Sequence, residues 1–187
     1  MHKNDRSKNV YVSKQKAKKL MSQHKRTTLR AGYSISAARL AAIQALYELS
    51  ISRADPLSVI KNFANKHWRS ITLRDPDSKP GLGGKARLPN PNLKHLTEIV
   101  LDVTNYDAKY ENEIEQILEK EWTLDRLDNL MLALLKSATY EFIEKKEIPV
   151  GIVIGEYIDL AHAFFNDKEA NFASGIINQL ASHHRPG

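Results

Sequence analysis

The residues of this 187-residue chain best suited to chemistry are its bases and its planar side chains. Residues 1–39 hold eleven Lys and Arg, among them Lys25, Arg26, Arg30 and Arg39, against the single acid Asp5, which leaves ten positive charges in that stretch. The other 148 residues hold 17 bases and 21 acids, a net charge of −4. A local cluster of this kind fits a polyanion, because each Lys or Arg seated on a phosphate releases condensed counterions. The alternatives are a solvated tail that aids solubility and an anchor for an anionic membrane surface. The membrane reading lacks support, since the stretch offers few bulky apolar residues: Val10, Tyr11, Val12, Leu20, Met21 and Leu29.

Patterns for catalysis are sparse. Gly81-Leu82-Gly83-Gly84-Lys85 looks like a phosphate cradle, but a Walker loop needs four residues between its glycines and a Ser or Thr after the Lys, where Ala86 stands. Of the seven His, none forms the His-Glu-x-x-His turn of a zinc protease, and His183-His184 has no carboxylate at ligand spacing in the chain. Glu111, Glu113 and Glu115 read as a solvated helix face. No nucleophile elbow, Ser-x-x-Lys or dinucleotide fingerprint is present. The absence of cysteine excludes a disulfide scaffold, a thiol nucleophile and a Cys-ligated metal. The expectation is therefore a protein that is not an enzyme, with no catalytic residues, no cofactor and no metal. No run approaches the roughly 18 apolar residues of a membrane span, and residues 1–33 lack the apolar core of a secretory signal, so a soluble, cytoplasmic protein is expected.

The elements that must position these residues are helical. Residues 36–49 are dense in Ala and Leu and predict a helix, with Ser34 or Ser36 as N-cap. Asp55-Pro56 opens a second, carrying Leu57, Ile60, Ala64, His67 and Trp68 at helical spacing. Residues 70–92, with four prolines and three glycines, read as a long exposed loop between an N-terminal half (34–69) and a C-terminal half (93–182). Leu93, Leu96, Ile99, Val100 and Val103 form one apolar stripe, and Tyr106, Tyr110, Ile114, Ile117 and Leu118 another. Thr123 caps a long and central helix carrying Leu127, Leu130, Met131, Leu134, Ala138 and Phe142. Pro149 starts the next, Asn166-Asp167 ends it, and a last helix carries Phe172, Ile176, Ile177 and Leu180, leaving 183–187 as a tail. Six or seven helices with short turns predict an all-α bundle, preceded by a basic, disordered arm over 1–33.

Several strings carry a resemblance. Ala38-Arg39-x-x-Ala42-x-Gln44-Ala45-Leu46-Tyr47, the Trp122…Arg126-Leu127 turn, Tyr140-Glu141, Ile148-Pro149, Ile154-x-Glu156 with Leu160-Ala161…Phe164, and Phe172-x-x-Gly175 are similar to the NusB family in order and spacing. The resemblance covers about residues 34–182. It implies two small packed helix bundles and a role in bacterial processive transcription antitermination. In that role NusB proteins bind single-stranded boxA RNA of ribosomal RNA leaders together with the ribosomal small-subunit protein NusE, in the RNA polymerase antitermination complex. It also implies an RNA surface made of the basic N-terminus (Lys25, Arg26, Arg30), Arg39, Gln44 and Tyr47 of the first long helix, and Phe172 with Lys168, Asn171 and Ser174 beside it. In such a surface Arg39 meets phosphate, Gln44 a base edge, and Tyr47 or Phe172 a base face.

Where NusB sequences commonly read Phe-Val-Asn-Gly-Val-Leu-Asp, this chain reads Phe172-Ala173-Ser174-Gly175-Ile176-Ile177-Asn178, and the family's Ile-Asn-Glu is Ile154-Gly155-Glu156. The resemblance leaves a homodimer open. Two other roles fit the same strings: the RNA-binding module of a ribosomal RNA methyltransferase, and a scaffold for a basic ribosomal protein.

Overall fold

The computed structural model describes residues 32–65, 72–74, 85–87, 89–118 and 122–186. Lys25, Arg26 and Arg30, the expected disorder of the arm, and the expected helical positions of His67 and Trp68 lie outside the described residues.

The described residues are mostly helical. In order come α1 (32–51), α2 (Pro56–Asn65), a strand pair, α3 (Leu93–Asn105), α4 (Asp107–Glu115), a 3-10 turn (Leu124–Arg126), α5 (Asn129–Glu144), α6 (Val150–Phe164) and α7 (Asp167–His184). The strands β1 (Thr72–Arg74) and β2 (Lys85–Arg87) pair antiparallel, Thr72 opposite Arg87 and Arg74 opposite Lys85. This ribbon falls inside the stretch read as a loop. Its strands are only three residues long, too short for any periodicity to show in the sequence.

Local signals fix most helix starts. Asp55 accepts from the Ser58 backbone N–H at 2.9 Å, with Pro56 in the first helical position. Asn166 and Glu169 form a reciprocal capping box at the head of α7. Two caps differ from expectation. The first helix is already running at residue 32, so Ser34 and Ser36 lie within it, and their hydroxyls bond Asn90 O and Gly32 O instead. Asp128, not Thr123, caps α5: its Oδ1 accepts from Leu130 and Met131, both at 2.8 Å, while Thr123 precedes the 3-10 turn. In α2 the apolar face is Val59, Ile60 and Phe63, leaving Leu57 exposed.

The core is one continuous cluster, and α5 is its axis. From Ala133 to Phe142 every α5 residue except Lys136 is buried. This helix packs against α3, α4, α6 and α7, and the Arg39–Glu141 pair ties α1 to it. Buried alanines at 37, 38, 41, 42 and 45 give α1 a smooth surface, which lets its backbone lie close to its neighbours.

Candidate nucleic-acid interface

The side chain first expected at a phosphate lies inside the protein. Arg39 is 2% exposed. Its Nε and Nη2 each donate at 2.8 Å to the two oxygens of Glu141, a bidentate pair, and its Nη1 lies 3.1 Å from Glu156 Oε2. Glu141 Oε1 also lies 2.8 Å from His95 Nε2 and accepts from the Tyr157 hydroxyl at 3.1 Å, while Ser36 Oγ donates to Glu156 at 2.9 Å. One network thus ties α1, α3, α5 and α6 together.

Burial alone raises a carboxyl, but the hydrogen bonds from His95 and Arg39 reverse this and hold Glu141 down to about 2. Burial likewise works against the Arg39 charge, and the Glu141 hydrogen bond outweighs it, raising the guanidinium above its ordinary value. Burial, followed by the Glu141 charge, pushes the Tyr157 hydroxyl well up. The expected phosphate role of Arg39 is therefore corrected: its donors are committed to two carboxylates, and a phosphate cannot reach them without breaking into the core.

The other expected residues lie nearer solvent. Tyr47 is 39% exposed and Gln44 half-buried on α1. Lys168 and Asn171 are exposed in the first turns of α7, and Phe172 is half-buried beside them. Ser174 is half-buried, its hydroxyl donating to Ala170 O at 2.7 Å along the helix. Of the departures from the family strings, Asn178 donates its amide to Ser174 O at 2.8 Å, and at Gly155 an added Cβ would meet nothing within 4 Å.

Helix directions bring several of these residues to one end of the molecule. Arg39 meets Glu141 near the C-terminus of α5, whereas Leu46, Leu49 and Ser50 share a cleft with Asn129, Leu132 and Ala133 at its N-terminus. α1 thus runs antiparallel to α5. At the end of α7, Arg185 donates to the carbonyls of Glu141, Phe142, Lys145 and Ile148, while near its start Phe172 packs on Trp122, just ahead of α5. α7 thus runs parallel to α5. Tyr47, Trp122, Phe172, Lys168 and Asn171 all lie toward the α5 N-terminus, with Arg39 at the opposite end.

Trp122 and Arg126 belong to this surface although neither was singled out for it from the sequence. The rings of Trp122 and Phe172 pack with centroids 4.6 Å apart and planes tilted by 40°, and the Arg126 guanidinium lies 5.3 Å from the Trp122 centroid. Trp122 remains 40% exposed. A half-exposed aromatic pair braced by Arg126 offers flat apolar area of the kind an unpaired base stacks on. The acids Asp167 and Glu169 flank Lys168, so the positive charge here is local.

One further cluster departs from expectation. Glu113, read as part of a solvated face, is brought by the fold beside His183 and His184, 70 residues further along. His183-His184, which lacks a carboxylate at ligand spacing in the chain, therefore has one in space.

The described residues thus form a predominantly helical fold around one apolar core, with aromatic, amide and basic side chains toward one end. The sequence model of the NusB family matches residues 36–182, and the chain belongs to that family. It is 34% identical over 147 residues to the transcription antitermination protein NusB of Sphingopyxis alaskensis, covering 79% of this chain and 91% of that protein. It is 31% identical over 151 residues to the protein of the same name from Nitrobacter hamburgensis, covering 81% and 88%. Among solved structures it matches T. maritima NusB with a TM-score of 0.61 at 22% identity, covering 81% of this chain and 92% of that one. A chain in the crystal structure of a plectonemic RNA supercoil matches with a TM-score of 0.63 at 19% identity, covering 81% and 96%. These two likenesses agree with the all-α fold.

Proposed function

We propose that this chain is a transcription antitermination factor that binds single-stranded RNA through the end of the molecule bearing Tyr47 and the Trp122–Phe172 pair. The observation that carries the reading is that pair: two rings in contact and tilted by 40°, one of them 40% exposed, with a guanidinium alongside and Lys168 and Asn171 on the neighbouring turns. Aromatic side chains that keep a face in solvent match the faces of unstacked bases. Gln44 contributes an amide for a base edge, and the basic arm over residues 1–33 adds phosphate contacts without reading sequence. The role is one of binding and not of catalysis, exercised in the cytoplasm. Among the described residues no helix is long and apolar enough to cross a membrane.

The RNA is boxA-type leader sequence, the protein partner is the ribosomal protein NusE, and both act within the RNA polymerase antitermination complex. The test is a titration of a boxA oligonucleotide and a scrambled one against this protein, alone and mixed with NusE. The mixture is expected to bind boxA far more tightly than either protein alone and to discriminate against the scrambled strand. Equal affinity for both strands, with or without NusE, would overturn the reading.

A further inference from the structure

Far from the aromatic surface, where the last turn of α7 meets α4, two imidazoles and one carboxylate converge. His184 Nε2 lies 3.5 Å and His183 Nε2 3.9 Å from the same oxygen of Glu113, Oε2, and a ligand atom from each residue lies within 4.8 Å of the other two. The His rings stand edge to face, centroids 4.8 Å apart and planes at 87°, so they approach a common point from different directions. His184 Nε2 is buried and has no hydrogen-bond partner, the only such side-chain nitrogen or oxygen among the described residues. Buried ring nitrogens are normally satisfied, and this one, 3.5 Å from a carboxylate oxygen, has its lone pair or N–H left for a further partner.

We propose that Glu113, His183 and His184 form a binding site for a divalent zinc-type ion that clamps α4 to the end of α7. The donor set decides the ion. Two neutral imidazoles and one carboxylate suit borderline metals such as Zn²⁺, whereas Mg²⁺ and Ca²⁺ take oxygen ligands. With zinc bonds of about 2.1 Å, tetrahedral ligands sit about 3.4 Å apart. The two nitrogen-to-oxygen separations lie within about half an ångström of that figure. The remaining adjustment falls on His183, whose side chain is 48% exposed and free to turn.

The other two ligands are held in place. His184 precedes Arg185, whose guanidinium is fastened to four carbonyls around the end of α5, and Glu113 sits on α4 one residue before the fully buried Ile114. Three protein ligands leave a fourth position for water.

The test titrates the full chain with zinc chloride near neutral pH by calorimetry, beside Glu113→Gln, His184→Gln and His183→Ala. Wild type is expected to take up one zinc per chain. Each variant should weaken that site by roughly tenfold or more, since even outer-shell changes at metal sites cost that much. Zinc should raise the thermal midpoint of the wild type and leave the variants unmoved. His183→Ala removes an exposed ring from the end of a helix and keeps the fold, so the comparison survives if the other two variants are unstable. Zinc uptake unchanged in the variants, which would place the ion on other histidines, overturns the proposal. So does a wild type that neither binds zinc nor gains thermal stability from it.

Discussion

Arg39 and Tyr47 stand eight residues apart on the same helix, and the structure gives them opposite tasks. Arg39 is buried among carboxylates from α5 and α6 and serves the fold, while Tyr47 faces outward at the other end of α5 and contributes little to the core. The residue type alone suggests the reverse, since a guanidinium is the natural phosphate ligand and a tyrosine the natural core filler. What decides is company. Glu141 and Glu156 reach Arg39 across 102 and 117 residues of chain, whereas nothing packs over the Tyr47 ring to the same extent. A basic residue inside a family string is thus no guide to a phosphate contact until its acidic neighbours are placed.

The largest effect should come from breaking the inner site. Arg39→Met keeps the length of the side chain but leaves Glu141 buried with His95 and Tyr157 as its only partners, and uncompensated burial of this kind costs about 3–5 kcal/mol. The thermal or denaturant midpoint should fall accordingly, while the molecules still folded retain most of their affinity for RNA. A variant as stable as the wild type but defective in RNA binding would return Arg39 to the surface role expected from the sequence.

Acid probes the same site without mutation. Glu141 has its proton affinity depressed in the folded state, from 4.5 to about 2. Its contribution to stability is therefore fully present above about pH 4.5 and is lost as pH falls through the window down to about 2. A shift of that size corresponds to about 3 kcal/mol. Denaturant unfolding measured across this window should show the loss in wild type and much less of it in Glu141→Gln. Equal pH dependence in the two proteins would place the acid-sensitive group elsewhere.

What the sequence makes legible follows from the range of each interaction. The cap at Asp55-Pro56, the break at Asn166-Asp167, the start at Pro149 and the stripe of α5 are decided within a turn or two of chain, and they stand where the spacing puts them. Thr123 and Asp128 are both good caps five residues apart. The choice between them rests on where the turn after Trp122 is pinned by Phe172, fifty residues away. The same limit hides the Trp122–Phe172 pair, the Arg39–Glu141 pair and the meeting of Glu113 with His184. Each joins segments whose nearness only the fold determines. Family strings preserve the order of such residues but do not state whether a given one faces inward.

The outer site should respond to mutation in a different currency from the inner one. Tyr47→Ala removes a half-exposed ring with no side-chain hydrogen bond to lose, so stability should stay within about 0.5 kcal/mol of wild type. If the ring carries a base, affinity for single-stranded RNA should drop by about 1–3 kcal/mol, and Tyr47→Phe should restore it, since stacking needs the ring and not the hydroxyl. Phe172→Ala is the mixed case: it removes a ring and also uncovers Trp122, so both RNA affinity and stability should fall, and Phe172→Leu should recover stability alone. Measuring each variant by thermal melt and by RNA titration separates the two ends of the molecule. Should Tyr47→Ala melt like Arg39→Met and bind RNA like the wild type, then Tyr47 serves the fold as Arg39 does, and the RNA surface must be sought around α7 alone.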